Sequence, residues 1–60
     1  MIKVGTVLKS LTGKKEYIIT VTNVIFLEVS GDNRILGVDQ KGKHHSYWEK
    51  NIYKKFEIIG

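Results

Sequence analysis

Sixty residues with ten Lys+Arg against six Asp+Glu make a small basic chain of net charge +4 that contains neither cysteine nor proline. The missing cysteines exclude a disulfide framework and a thiolate zinc site, and no stretch approaches the ~18 consecutive apolar residues of a membrane span. A chain of this size buries only ~60% of the surface its unfolded form exposes, so its core must suffice alone or be helped by an oligomer interface.

One domain over residues 1–60 is expected. The opening Met1-Ile2-Lys3-Val4-Gly5 lacks the charged-then-apolar order of a secretory leader, which makes the cytoplasm the expected location.

In chain order, Gly5 to Leu11 reads as a first strand and Thr12-Gly13-Lys14-Lys15 as a loop. Residues 16–23, Glu-Tyr-Ile-Ile-Thr-Val-Thr-Asn, alternate as a half-buried strand does, with Tyr17, Ile19 and Val21 inward and Ile18 outward. Residues 24–29 form the next strand, in which Glu28 marks solvent and Ile25, Leu27 and Val29 the core. Ser30-Gly31-Asp32-Asn33 has the composition of a turn. Arg34 to Gln40 resumes the sheet with Leu36 and Val38 inward, a register that pairs Leu27 with Leu36 and Ile25 with Val38.

Lys41-Gly42-Lys43 makes the following turn, and His44 to Ser46 a short strand. Ser46-Tyr47-Trp48-Glu49 fits a capping box. Trp48, Ile52 and Phe56 recur at four-residue steps, predicting a helical turn from Tyr47 to Lys54 with those three side chains buried. Phe56 to Ile59 closes the chain as a strand.

Strand, loop, meandering strands, a helical turn and a last strand form an order that resembles the small barrels of the SH3-like class. The resemblance implies a mostly-β, five- or six-stranded antiparallel barrel with one short helical turn before the last strand. The proline-peptide binders of that class carry an acidic first loop; here that loop holds Lys14 and Lys15, so their ligand does not carry over. Short and rich in Lys and Ile, the chain is also similar in look to small accessory proteins of bacteriophages and low-GC bacteria.

The charge is uneven. Residues 1–40 carry five basic and four acidic side chains, residues 41–55 five lysines against Glu49 alone, and the last five residues only Glu57. An excess of four charges within fifteen residues points to an acidic partner, nucleic acid or an acidic protein. Lys41, Lys43, His44, Tyr47, Lys50, Tyr53, Lys54 and Lys55 interleave cations and aromatics, the pattern of single-strand binders that grip phosphates and stack bases. Trp48 belongs to the same stretch, although its helical spacing places it in the core.

An alternative is a protein-binding inhibitor or adaptor that uses Ile18, Phe26 and Ile35 on the outer sheet face, with a weak homo-oligomer as a further possibility of such a face. Catalysis is not expected: His44, His45 and Ser46 are sequence neighbours, and neighbours on a strand point to opposite faces. The two histidines lack completing metal ligands, so neither a metal nor a cofactor is expected.

Overall fold

In the computed structural model, which describes residues 2–11 and 16–60, five antiparallel strands form one sheet in the order β4-β3-β2-β1-β5. They are β1 (Val7–Ser10), β2 (Ile18–Leu27), β3 (Asp32–Asp39), β4 (His44–Trp48) and β5 (Phe56–Ile58), with one helix, α1 (Glu49–Lys55), before the last strand. The element order expected from the sequence is therefore present, in an open sheet. The loop expected over residues 12–15 lies outside the described residues. Among the described residues no helix is long and apolar enough to cross a membrane.

The two strands expected over 16–29 are a single ten-residue strand carrying a register shift between Val21 and Asn23. A bulge inserts one residue, so the inward parity changes along the strand. Ile19 and Val21 face the core before it, and Val24, paired with Ile35, packs against the core after it.

The hairpin also turns earlier than its composition predicts. Residues 28–31 form the loop, Leu27 pairs with Asp32, and the amides of Ser30 and Gly31 donate to the Leu27 carbonyl at 3.2 and 2.9 Å. This loop needs a left-handed residue at its fourth position, and Gly31 supplies it at φ 68° without a Cβ penalty.

These two features reverse the expected faces of β3. Ile35 is 2% exposed and belongs to the core. Leu36 and Val38 point the other way and are only half-buried, Ile25 and Leu27 are exposed, and Val29 stands fully in solvent at the hairpin tip. A one-residue change of parity carries a strand's whole apolar set to the opposite face.

The core comprises Ile2, Leu8, Ile19, Val21, Ile35, Ile52 and Phe56, flanked by Tyr17, Val24 and Tyr47. All the strand members project from one face of the sheet, here called inner, and α1 seals that face through the fully buried Ile52. Gly37 lies on this face where β2 passes closest: a Cβ there would sit 2.6 Å from Ile19 Cγ2 and 2.8 Å from the Thr20 carbonyl oxygen. The edge strands β4 and β5 are not neighbours in the sheet, but their inward rings, Tyr47 and Phe56, meet with centroids 5.1 Å apart.

The helix begins two residues later than the capping box predicts. β4 keeps pairing with β3 as far as Trp48 opposite Arg34, and Trp48 becomes the N-cap with no side-chain cap bond. The Ser46 hydroxyl is engaged by Arg34 Nε at 2.7 Å instead of by the helix. Trp48 consequently sits on the outer face, half-buried, with the Arg34 guanidinium 4.8 Å from its ring centre. The inward place expected for it is taken by Tyr47.

Candidate nucleic-acid interface

Antiparallel alternation sends the C-terminal ends of β1 and β3 and the N-terminal ends of β2, β4 and β5 to one end of the sheet. Lys41 and Lys43 lie there in the β3–β4 turn. α1 ends at Lys54 and Lys55 immediately before β5, where the Lys55 carbonyl accepts the Leu11 amide at 2.8 Å. Four lysines distant in sequence thus gather at one end. His44, at the start of β4, is exposed beside them on the outer face.

On the helix, Lys50, Tyr53 and Lys54 are all exposed and stand three and four residues apart, one solvent face with an aromatic ring between two cations. Tyr47 is not part of this surface. It is half-buried, packed on Phe56, with its hydroxyl 3.2 Å from His45 Nδ1. The single basic-aromatic strip read from the sequence is therefore two patches, a lysine end and a helix face, which share Lys54.

Two carboxylates of this half of the molecule, Asp39 and Glu49, are held by internal hydrogen bonds, whereas Glu57 is exposed on β5. Asp39, 7% exposed, accepts from the amides of Lys41 and Lys43 at 2.8 and 2.9 Å and lies 2.8 Å from His45 Nε2. An ionised carboxylate can only accept, so Nε2 carries the proton and, in the neutral ring, Nδ1 accepts from the Tyr47 hydroxyl. The His45 bond, reinforced by the two turn amides, holds the Asp39 carboxyl down at about 2 from an ordinary 3.8, outweighing the burial that would raise it.

Glu49 accepts from Tyr53 Oη and, at 2.8 Å, from Asn33 Nδ2. Those two bonds lower its pKa, the Tyr53 bond most, and the same bond raises that of Tyr53. Among the described residues, one lysine–carboxylate ion pair is present, Lys9 with Glu16 at 3.1 Å. The charges of Asp39 and Glu49 are engaged in building the turn and the helix start, while the lysines and the single carboxylate of Glu57 face solvent.

Asp39 and its partnership with His45 escaped the sequence reading. The available signal was Asp39 three residues before Gly42-Lys43, a position from which Asp accepts turn amides. His44 and His45 do diverge, one to solvent and one to Asp39.

The alternative protein interface is rearranged. Ile35 is core and unavailable, as described above, and Ile18 and Phe26 lie at opposite ends of β2. Phe26 is 60% exposed. It shares the inner face with Val24 and, opposite Asn33, lies past the end of the core. Its exposed apolar company is Val29 at the tip, with Ile25 and Leu27 behind it on the other face. Comparison with protein-family models, curated proteins and solved structures finds no match to this chain.

Proposed function

We propose that this chain is a non-enzymatic module that binds a nucleic-acid backbone. Lys41, Lys43, Lys54 and Lys55 contact phosphates, and Tyr53, between Lys50 and Lys54, stacks a base. The observation that carries the reading is the division of charge: Asp39 and Glu49 are spent on internal hydrogen bonds, while the lysines around them face solvent. Element order, and the contact between the inward rings of the two edge strands, support an SH3-like architecture close to barrel closure.

Titration with a fluorescent single-stranded oligonucleotide tests the reading. Four or five neutralised phosphates give a slope of log K against log salt of about −3 to −3.5, from about −0.7 per contact. Tyr53→Ala weakens binding by ~1–3 kcal/mol and Tyr53→Phe does not, because stacking needs the ring and not the hydroxyl. Absence of binding to single or double strands at low salt removes the reading.

A second reading, a protein-binding inhibitor or adaptor, is favoured by the apolar end of the β2–β3 hairpin, where Phe26 and Val29 lie in solvent. Aromatic anchors carry a large share of interface energy. Phe26→Ala then abolishes partner capture with the fold intact.

A further inference from the structure

The outer face of the sheet carries one cation in an aliphatic setting. Strand pairing sets six of its side chains in two rows across β2, β3 and β4: Ile25, Arg34 and Trp48 in one, Asn23, Leu36 and Ser46 in the next. All six are exposed or half-buried. Arg34 is the only lysine or arginine on these three strands. Ile25 stands beside it and Leu36 next to it along the same face.

The guanidinium is held in place but only partly used. Its Nε–H donates to the Ser46 hydroxyl oxygen at 2.7 Å, and its central carbon lies 4.8 Å from the centre of the Trp48 ring. Those contacts leave Nη1 and Nη2 without a partner among the described residues, and no carboxylate there comes within ion-pair distance. Asp32, the next outward residue on β3, turns its oxygens to the Asn33 and Lys50 amides at 2.8 and 3.4 Å. Asn23 spends its side-chain oxygen on the Val24 amide at 2.9 Å, so Nδ2 is what it presents to solvent. The polar groups left over in the two rows are donors.

That imbalance selects the partner. Any surface that covers Ile25 and Leu36 also takes Arg34 out of water, and an unpaired cation is costly to desolvate. The covering surface must therefore bring acceptors. A carboxylate matches the two parallel N–H bonds of the guanidinium end, and Ser46 and Trp48 have already fixed the plane that would receive it. We infer that the outer sheet face docks a partner protein through one Asp or Glu carboxylate that pairs with Arg34 and is flanked by aliphatic side chains resting on Ile25 and Leu36.

A phosphate satisfies the same fork, but a nucleic-acid strand carries a charge at every nucleotide. Around Arg34 the neighbouring phosphates would meet Ile25 and Leu36, and toward the hairpin the acids Asp32 and Glu28. One isolated carboxylate in an apolar setting fits where a polyanion does not. The site uses none of the lysines that contact phosphates, and Phe26 lies on the other face. It thus stands or falls apart from both readings above.

The peptide acetyl-Leu-Ser-Glu-Ser-Leu-amide is a minimal probe, because alternate residues of an extended chain share a face and set both leucines beside the glutamate. It is titrated into the isotope-labelled full chain at physiological ionic strength and followed by NMR. The Arg34 Nε–H and Trp48 indole N–H resonances are expected to shift together, with a dissociation constant of roughly millimolar. The peptide with glutamine in place of glutamate binds about tenfold more weakly or worse. Arg34→Lys, which keeps the charge and loses the fork, weakens binding by about tenfold, and Phe26→Ala leaves it unchanged. Thermal unfolding by circular dichroism checks that each variant is folded.

Resonances that do not move, equal binding of the glutamine peptide, or full binding by Arg34→Lys each overturns the inference. So does loss of binding in Phe26→Ala, or an oligothymidylate or inorganic phosphate that shifts the same two resonances as strongly as the peptide. Should Arg34→Lys fail to fold, the two peptides compared on the wild type decide alone.

Discussion

The two faces of the sheet are built from similar residues and have opposite fates. The inner face presents Leu8, Ile19, Val21, Ile35 and Phe56, covered by α1 and buried. The outer face presents Ile18, Ile25, Leu27, Leu36, Val38 and Trp48, with no element of the described chain across it. Side-chain hydrophobicity does not distinguish them. What does is the position of the helix and the parity of each strand, so apolar content alone says little about where a small β domain keeps its core.

The contrast can be broken from the inside first. Ile52→Ala, which empties the fully buried position joining α1 to the inner face, is expected to cost ~2–5 kcal/mol. A domain of this size has ~3–9 kcal/mol in total, so loss of cooperative thermal unfolding by circular dichroism is the expected readout. A small change in melting temperature would mean that the helix is not what seals the core.

Gly37→Ala comes next. The added methyl meets Ile19 and the β2 backbone below 3.0 Å, and the backbone cannot move aside without disturbing the sheet. A destabilisation of ~1–3 kcal/mol in urea titrations follows from overpacking. A neutral result would show that β2 and β3 are farther apart in solution.

On the outer face, Trp48→Ala is expected to cost about 1–2 kcal/mol, well below the ~3–5 typical of a buried aromatic. The loss is that of a half-exposed ring and its cation–π contact with Arg34. If Trp48→Ala costs more than Ile52→Ala at protein concentrations too low for association, the assignment of the two faces is reversed.

The smallest effect is on pH. The native carboxyl of Asp39 titrates at about 2, below its unfolded 3.8, so as pH falls the unfolded chain takes up the proton first. Its contribution to stability is fully present above about pH 4 and is lost as pH falls from there through about 2. Following the Asp39 carboxyl carbon by NMR checks the value, and an ordinary titration near 4 would refute the bond to His45. His45→Ala should move that titration upward and lower the melting temperature.

Much of the element order was legible. Alternation over 16–23, the turn residues at 41–43 and the four-residue spacing of Ile52 and Phe56 reflect local periodicities that appear in any folded context. The lysine excess over 41–55 was equally plain, and the structure places four of its members at one end. Trp48 was misplaced because one helical period was extended backward through it, whereas pairing with Arg34 kept it in β4. The aromatic half of the candidate site was only partly legible, since whether Tyr47 faces solvent or Phe56 depends on how far the edge strands approach each other.

Composition and periodicity by themselves determined a small, disulfide-free β chain with one short helix before its last strand and a basic C-terminal third, because each of these is a property of neighbouring residues. The faces were decided only in three dimensions. Nothing local marks the extra residue between Val21 and Asn23, and the turn forms over 28–31 although Ser30-Gly31-Asp32-Asn33 has the stronger turn composition. The choice rests on long-range fit: Gly37 beneath Ile19, Asp39 sheltering against His45, and Ile35 rather than Leu36 meeting the core. A period-two element converts that choice of one residue into the exchange of an entire face.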